Sequence, residues 1–84
     1  MSSYVRNLKE DFNLKYDTKD IGKRIKELRE ARKITLHFLS YKACVDHSVL
    51  TRVERGEREP MLSTLLKIID GLDIQPAEFF KIFK

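Results

Sequence analysis

The sequence predicts an all-α domain, on three observations. Glycine occurs three times and proline twice in 84 residues, and runs of β-branched residues are scarce, so little favours strands and hairpins over helices. From Ile21 onward apolar residues recur three and four positions apart, the spacing that gathers them on one side of a helix. Hydrophobic residues are 42% and charged residues 36% of the chain, a mixture that folds in water and fills one modest core at this length. A single domain over residues 20–84 is expected, preceded by a short segment, residues 1–19.

That segment is weakly patterned. Tyr4, Leu8 and Phe12 sit four apart, enough for a short amphipathic helix that docks on the domain, serves a partner, or frays. Asp17-Thr18-Lys19-Asp20 is a polar lead-in with capping capacity. Ile21–Lys33 then reads as the first domain helix, with an apolar stripe of Ile21, Ile25 and Leu28 extended by the stem of Arg32. Lys26 and Glu30 stand in the i,i+4 relation of a weak ion pair on its outer side. Ile34 is a core plug and Thr35 the expected cap of a second helix carrying Leu36, Leu39 and Ala43. Phe38 stands where a reciprocal capping box needs Glu or Gln, so that box is missing, and Phe38 and Tyr41 add aromatic surface beyond what the helix needs.

Ala43-Cys44-Val45 breaks the period, and Asp46 caps a third helix whose apolar side is Leu50 and Val53. Cys44, the only cysteine, is expected as a small buried filler at this bend. Gly56 is a left-handed stop, followed by a charged loop closed by Pro60. Leu62, Leu65, Leu66, Ile68, Ile69 and Leu72 cover more than half the circumference of a fourth helix, which should be the most buried. Pro76 at the first helical position and Glu78 in the first turn open a fifth, expected over Pro76–Phe83. Its tail, Phe79-Phe80-Lys81-Ile82-Phe83, holds more apolar side chain than one face of two turns buries.

Thr35–Gly56 is the stretch with a functional signature. Advancing about 100° per residue along the third helix groups Ser48, Thr51, Arg52 and Arg55 opposite Leu50, with His47 at the edge. Hydroxyls and guanidiniums on one face suit a reader of a nucleic-acid groove; a solvated face of any small helical domain has the same periodicity. Charge adds to the first reading. The net charge of +4 lies wholly within residues 21–60, which hold ten basic and six acidic groups, while both ends are balanced. Such a surplus attracts phosphates irrespective of sequence.

Other chemistries lack their residues. His37, His47 and Cys44 are the only soft metal ligands and do not have tetrahedral-site spacing. His47 between Asp46 and Ser48 forms no relay, because consecutive helical residues point about 100° apart. With no glycine-rich phosphate loop or carboxylate pair, the chain is expected to be no enzyme and to need no cofactor, metal or small-molecule ligand. One cysteine and no apolar run long enough for a leader or a membrane span point to the cytoplasm.

Over Ile21–Phe80 the chain resembles the five-helix helix-turn-helix domain of phage repressors and their bacterial relatives, the Xre/Cro-CI type. The matching pieces are IGKRIKELREARKIT, HSVLTRVERGEREP and TLLKIIDGLDIQPAEFF, in this order and spacing. The resemblance implies a five-helix repressor-like bundle acting as a transcriptional regulator on double-stranded DNA. Its second helix would brace across the backbone and its third would enter the major groove. It further implies base contacts from His47, Ser48, Thr51 and Arg52, phosphate contacts from Thr35, Lys42, Arg55 and Arg58, and an Arg29–Glu54 pair locking the reader helix to the bundle.

Three positions depart from the family pattern. Leu36 replaces a glutamine that contacts phosphate, Cys44 the glycine usual in the bend, and Met61 a serine cap before the fourth helix. A short chain with almost no C-terminal extension is similar to small stand-alone regulators, the controller proteins of restriction–modification systems among them. Phe79, Ile82 and Phe83 are the expected interface of a twofold homodimer on a palindromic operator, unless the tail folds back over the first helix as a satellite core. A protein-binding role, as in antitoxins or accessory subunits, is the alternative, with Tyr4, Leu8, Phe12 and the aromatic tail as anchors.

Overall fold

Asp17 turns the chain into its first helix. In the computed structural model, which describes residues 15–84, α1 runs Thr18–Ala31. Asp17 Oδ1 accepts from the N–H groups of Lys19 (2.9 Å) and Asp20 (3.4 Å), and Asp20 Oδ2 accepts from Asp17 N–H (2.9 Å). This reciprocal cap starts α1 three residues before the expected Ile21, because the cap and not the first apolar side chain sets the end of a helix. Tyr4, Leu8 and Phe12 lie outside the described residues.

The remaining helices among the described residues are α2 (Leu36–Ala43), α3 (His47–Glu54), α4 (Leu62–Gly71) and α5 (Pro76–Phe80). Thr35 and Asp46 cap α2 and α3 through the N–H groups of Phe38 and Ser48. Met61 gives α4 no side-chain cap, as expected of that residue. α5 ends at Phe80, three residues short of expectation, and Phe83 N–H returns to Phe80 O at 2.9 Å.

Four stops share one geometry. Lys33, Cys44, Gly56 and Asp73 take left-handed φ values of 57°, 57°, 74° and 60°. The next residue in each case donates its N–H five residues back, from Ile34, Val45, Glu57 and Ile74 to Arg29, Ser40, Arg52 and Ile69. This closes the otherwise orphaned last carbonyls of a helix. Only Gly56 adopts the conformation freely; a side chain there costs about 1 kcal/mol or more, less for Asp. Cys44 is exposed in this turn and not the buried filler expected, since the left-handed residue of the bend faces outward.

The core is Ile25 of α1, Leu39 and Ala43 of α2, Leu50 and Val53 of α3, Leu65, Ile68 and Ile69 of α4, then Leu72 and Phe79. α1 packs on α3 and α2 on α4, with α5 against α4. The α1–α3 approach requires Gly22: a Cβ there would sit 2.2 Å from Val53 O and 2.8 Å from Glu54 O. α4 buries less of its apolar arc than expected, for Leu62 is 69% and Leu66 43% exposed. Lys26 and Glu30 form no ion pair; the described pairs are Arg29–Glu54, Lys42–Asp73 and Lys81–Glu78.

Arg24 is the unforeseen core residue. Only 9% exposed, it donates from Nε to Phe79 O and from Nη2 to Glu78 O, both at 2.8 Å, tying α1 to α5. Phe79 itself has no exposed surface. It therefore cannot touch a second chain, and its expected place in an intersubunit patch is corrected to the protomer core. Phe83 is half-buried, with its ring edge-on to Tyr16 at 4.9 Å and stacked on Phe79 at 6.3 Å, as a satellite core would have it. Ile82 stays 46% exposed.

Candidate nucleic-acid interface

Three devices hold α3. Leu50 and Val53, both fully buried, anchor its inner side, and Gly22 lets α1 approach its last carbonyls. At its C-terminal end Arg29 grips Glu54 with two bonds, Nε to Oε2 at 2.8 Å and Nη2 to Oε1 at 3.1 Å. Arg29 Nη1 also donates to Ile34 O at 2.9 Å, so one guanidinium fastens both the end of α3 and the lead-in to α2. The bonds that Arg29 donates to the Glu54 carboxylate raise the Arg29 pKa above its ordinary value. The side chains are 13% and 6% exposed, which makes this a largely desolvated pair.

At the other end Asp46 Oδ1 accepts from Ser48 N–H and from Ser48 Oγ, each at 2.9 Å. These two bonds, the backbone one foremost, hold the Asp46 carboxyl below the usual aspartate range. The cap fixes where His47 and Ser48 leave the helix.

The outer side of α3 then presents what the sequence led one to expect. His47, Ser48 and Arg52 are exposed and Thr51 is partly so. Their chemistry is more constrained than their positions. Thr51 Oγ1 donates to His47 O at 2.9 Å, leaving its methyl as the free surface. Ser48 has spent its proton on Asp46 and retains lone pairs for a donor. No described ion pair engages Arg52. His37, which periodicity did not single out, places its ring centroid 5.2 Å from that of His47, from the first turn of α2. Two histidines ten residues apart on separate helices leave no sequence signal of that contact.

The residues expected near phosphates are less uniform. Arg55 and Arg58 are exposed after the last turn of α3, and Thr35 is exposed at the start of α2, its oxygen accepting from Phe38 N–H at 3.0 Å and its proton given to no described acceptor. Lys42 is committed to Asp73 at 2.5 Å, and any phosphate contact has to compete with that pair. Among the described residues no group of three or more His, Cys, Asp or Glu side chains is placed to hold a metal ion, and no helix is long and apolar enough to cross a membrane.

Residues 25–79 match the helix-turn-helix family. The chain is 42% identical over 55 residues to the immunity repressor protein of Bacillus phage phi105, covering 66% of this chain and 38% of that protein. It is 32% identical over 60 residues to an uncharacterized HTH-type transcriptional regulator of Sinorhizobium fredii, covering 71% and 31%. The chain thus spans well under half the length of both curated relatives. Among solved structures, the restriction-modification controller protein C.AhdI from Aeromonas hydrophila superposes with a TM-score of 0.71 at 36% identity, over 75% of this chain and 96% of that one. The wild-type controller protein C.Esp1396I superposes with a TM-score of 0.75 at 26% identity, over 77% and 86%. C.Esp1396I has also been solved as a tetramer on its natural 35 base-pair operator.

Proposed function

We propose, from the premise that this chain belongs to the helix-turn-helix family, that it is a transcriptional regulator reading a specific double-stranded DNA sequence with α3 in the major groove. The family makes its role regulatory DNA binding and not catalysis. One observation carries the finer reading. α3 is fixed on three sides by Leu50 and Val53, by Gly22 and by the Arg29–Glu54 pair, while the side that no described element covers bears His47, Ser48, Thr51 and Arg52. A rigid helix with groups that match base edges and no covering element is what direct readout needs.

The roles follow from the free atoms. Arg52 donates to the O6 and N7 of a guanine, and the Thr51 methyl packs on a thymine methyl. Ser48 accepts from a base amino group, and His47 reads the neighbouring edge. Thr35, Arg55 and Arg58 take backbone phosphates, as does Lys42 once released from Asp73. Two copies bind a palindrome, since one eight-residue helix makes too few base contacts for useful specificity. Exposed Ile82 (46%), Phe80 (37%) and Leu66 (43%) supply apolar surface for the twofold contact.

Selection of bound fragments from random duplex DNA, with sedimentation of protein and complex, tests this. An enriched palindrome bound by two copies is expected. Recovery of unselected sequence, or of a complex with one copy, overturns the reading.

A further inference from the structure

A cleft of about 310 Å³ opens between α1, the first residue of α2 and the last turn of α3, lined by Lys26, Arg29, Leu36, Thr51, Glu54 and Arg55. Its charges do not cancel. The Arg29 guanidinium is neutralised by Glu54 and spends its third nitrogen on Ile34 O. Lys26 and Arg55 are exposed and belong to none of the described ion pairs. Among the described residues the cleft therefore has two cations on its walls outside any ion pair, one from α1 and one from the end of α3. Leu36 and Thr51 offer no competing carboxylate between them. An oxyanion small enough to enter is the matching ligand chemistry.

Position narrows the source of that anion. Thr51 lines the cleft and also belongs to the outer side of α3, so the cleft opens beside the surface proposed to enter the groove. Whatever strand borders that groove runs past it. We infer that the cleft seats one backbone phosphate of the bound duplex, and that Lys26, on a helix outside the helix-turn-helix pair, carries DNA affinity with Arg55. The inference rests on the proposed function, which already gives Arg55 a phosphate; what the cleft adds is Lys26, to which neither periodicity nor the family resemblance gives a phosphate contact. It also gives Lys26, which pairs with no described carboxylate, a role: an i,i+4 bond to Glu30 would have spent its charge.

The test is the salt dependence of duplex binding. Each phosphate contact contributes about 0.9 to the slope of log K against log salt. Lys26→Ala should lower the slope by about that amount, so its affinity deficit relative to wild type narrows about 3.5-fold between 50 and 200 mM salt. Lys26→Arg should retain the wild-type slope, and Lys26→Ala/Arg55→Ala should lose about twice as much. Lys67→Ala removes the same charge from an exposed site on α4 that lines no part of the cleft, and its slope should stay at the wild-type value. Lys26 is exposed, so thermal melts of these variants should coincide with wild type. A Lys26→Ala slope equal to wild type, or an equal fall in Lys67→Ala, overturns the phosphate seat. If wild type itself shows no salt-dependent duplex binding, the proposed function fails first, and that result is distinct from failure of the cleft.

Discussion

Removing either partner of the Arg29–Glu54 pair should loosen α3 from the bundle, and the structure sets how much. Arg29→Ala leaves the Glu54 carboxylate, 6% exposed, without its two charge-assisted bonds. Breaking a fully buried pair costs about 3–5 kcal/mol. Here the adjoining cleft admits water, so about 2–3 kcal/mol is expected. Glu54→Ala should cost less, about 1–2 kcal/mol, because the longer Arg29 keeps Ile34 O and can turn its remaining nitrogens to solvent. The double variant should cost little more than Arg29→Ala alone, giving a coupling of about 1–2 kcal/mol. Urea unfolding of wild type, both single variants and the double variant at one pH measures it, provided the m-values agree. Costs that add, with a coupling under about 0.5 kcal/mol, would show that the two groups act as independent surface charges and do not lock the reader helix.

Ile69→Ala, at 1% exposure, should cost about 2–4 kcal/mol in urea unfolding, whereas Leu66→Ala on the same helix, 43% exposed, should cost much less; equal losses would refute the placement of the core on α4. Cys44→Gly should stabilise the domain by about 0.5–1 kcal/mol, as relief of the left-handed backbone exceeds the added freedom of the unfolded chain, and a lower melting temperature would contradict that. Asp46 has a carboxyl pKa held below its ordinary 3.8, so its cap stabilises fully above that value and the gain is lost as pH falls through the native pKa. Asp46→Ala should accordingly be less stable than wild type at about pH 6, with the gap closing in strong acid, and a gap independent of pH would remove the charge from the account.

Much of the fold was legible because local signals act locally. Thr35 and Asp46 cap the helices that their residue types announce, and Gly56 stops α3 where a left-handed residue was expected. Failures fall where a distant partner decides. No local pattern singles out Arg24 on α1, because its guanidinium is placed by carbonyls 54 and 55 residues away. Lys42 meets Asp73 across 31 residues, and nothing in either neighbourhood announces it. Phe79 reads as part of an interface and lies in the core, because a tail of consecutive apolar residues does not say which one turns inward. At the candidate site, helical periodicity located the outer side of α3 correctly, but not which atoms stay free. Ser48 and Thr51 have their hydroxyl protons already donated, to Asp46 and to His47 O. The His37–His47 contact arises only when the bend folds α2 onto α3.

Arg52 tests the central claim most directly. It is exposed on the outer side of α3, with no described ion pair, and is long enough to reach a guanine edge. The decisive measurement is the affinity of wild type and Arg52→Ala for a selected operator and for random duplex at one salt concentration. A base-reading Arg52 loses about 1–3 kcal/mol more on the operator than on random DNA. Equal losses on both would make Arg52 a phosphate contact and contradict the assignment of this side of α3 as the reader.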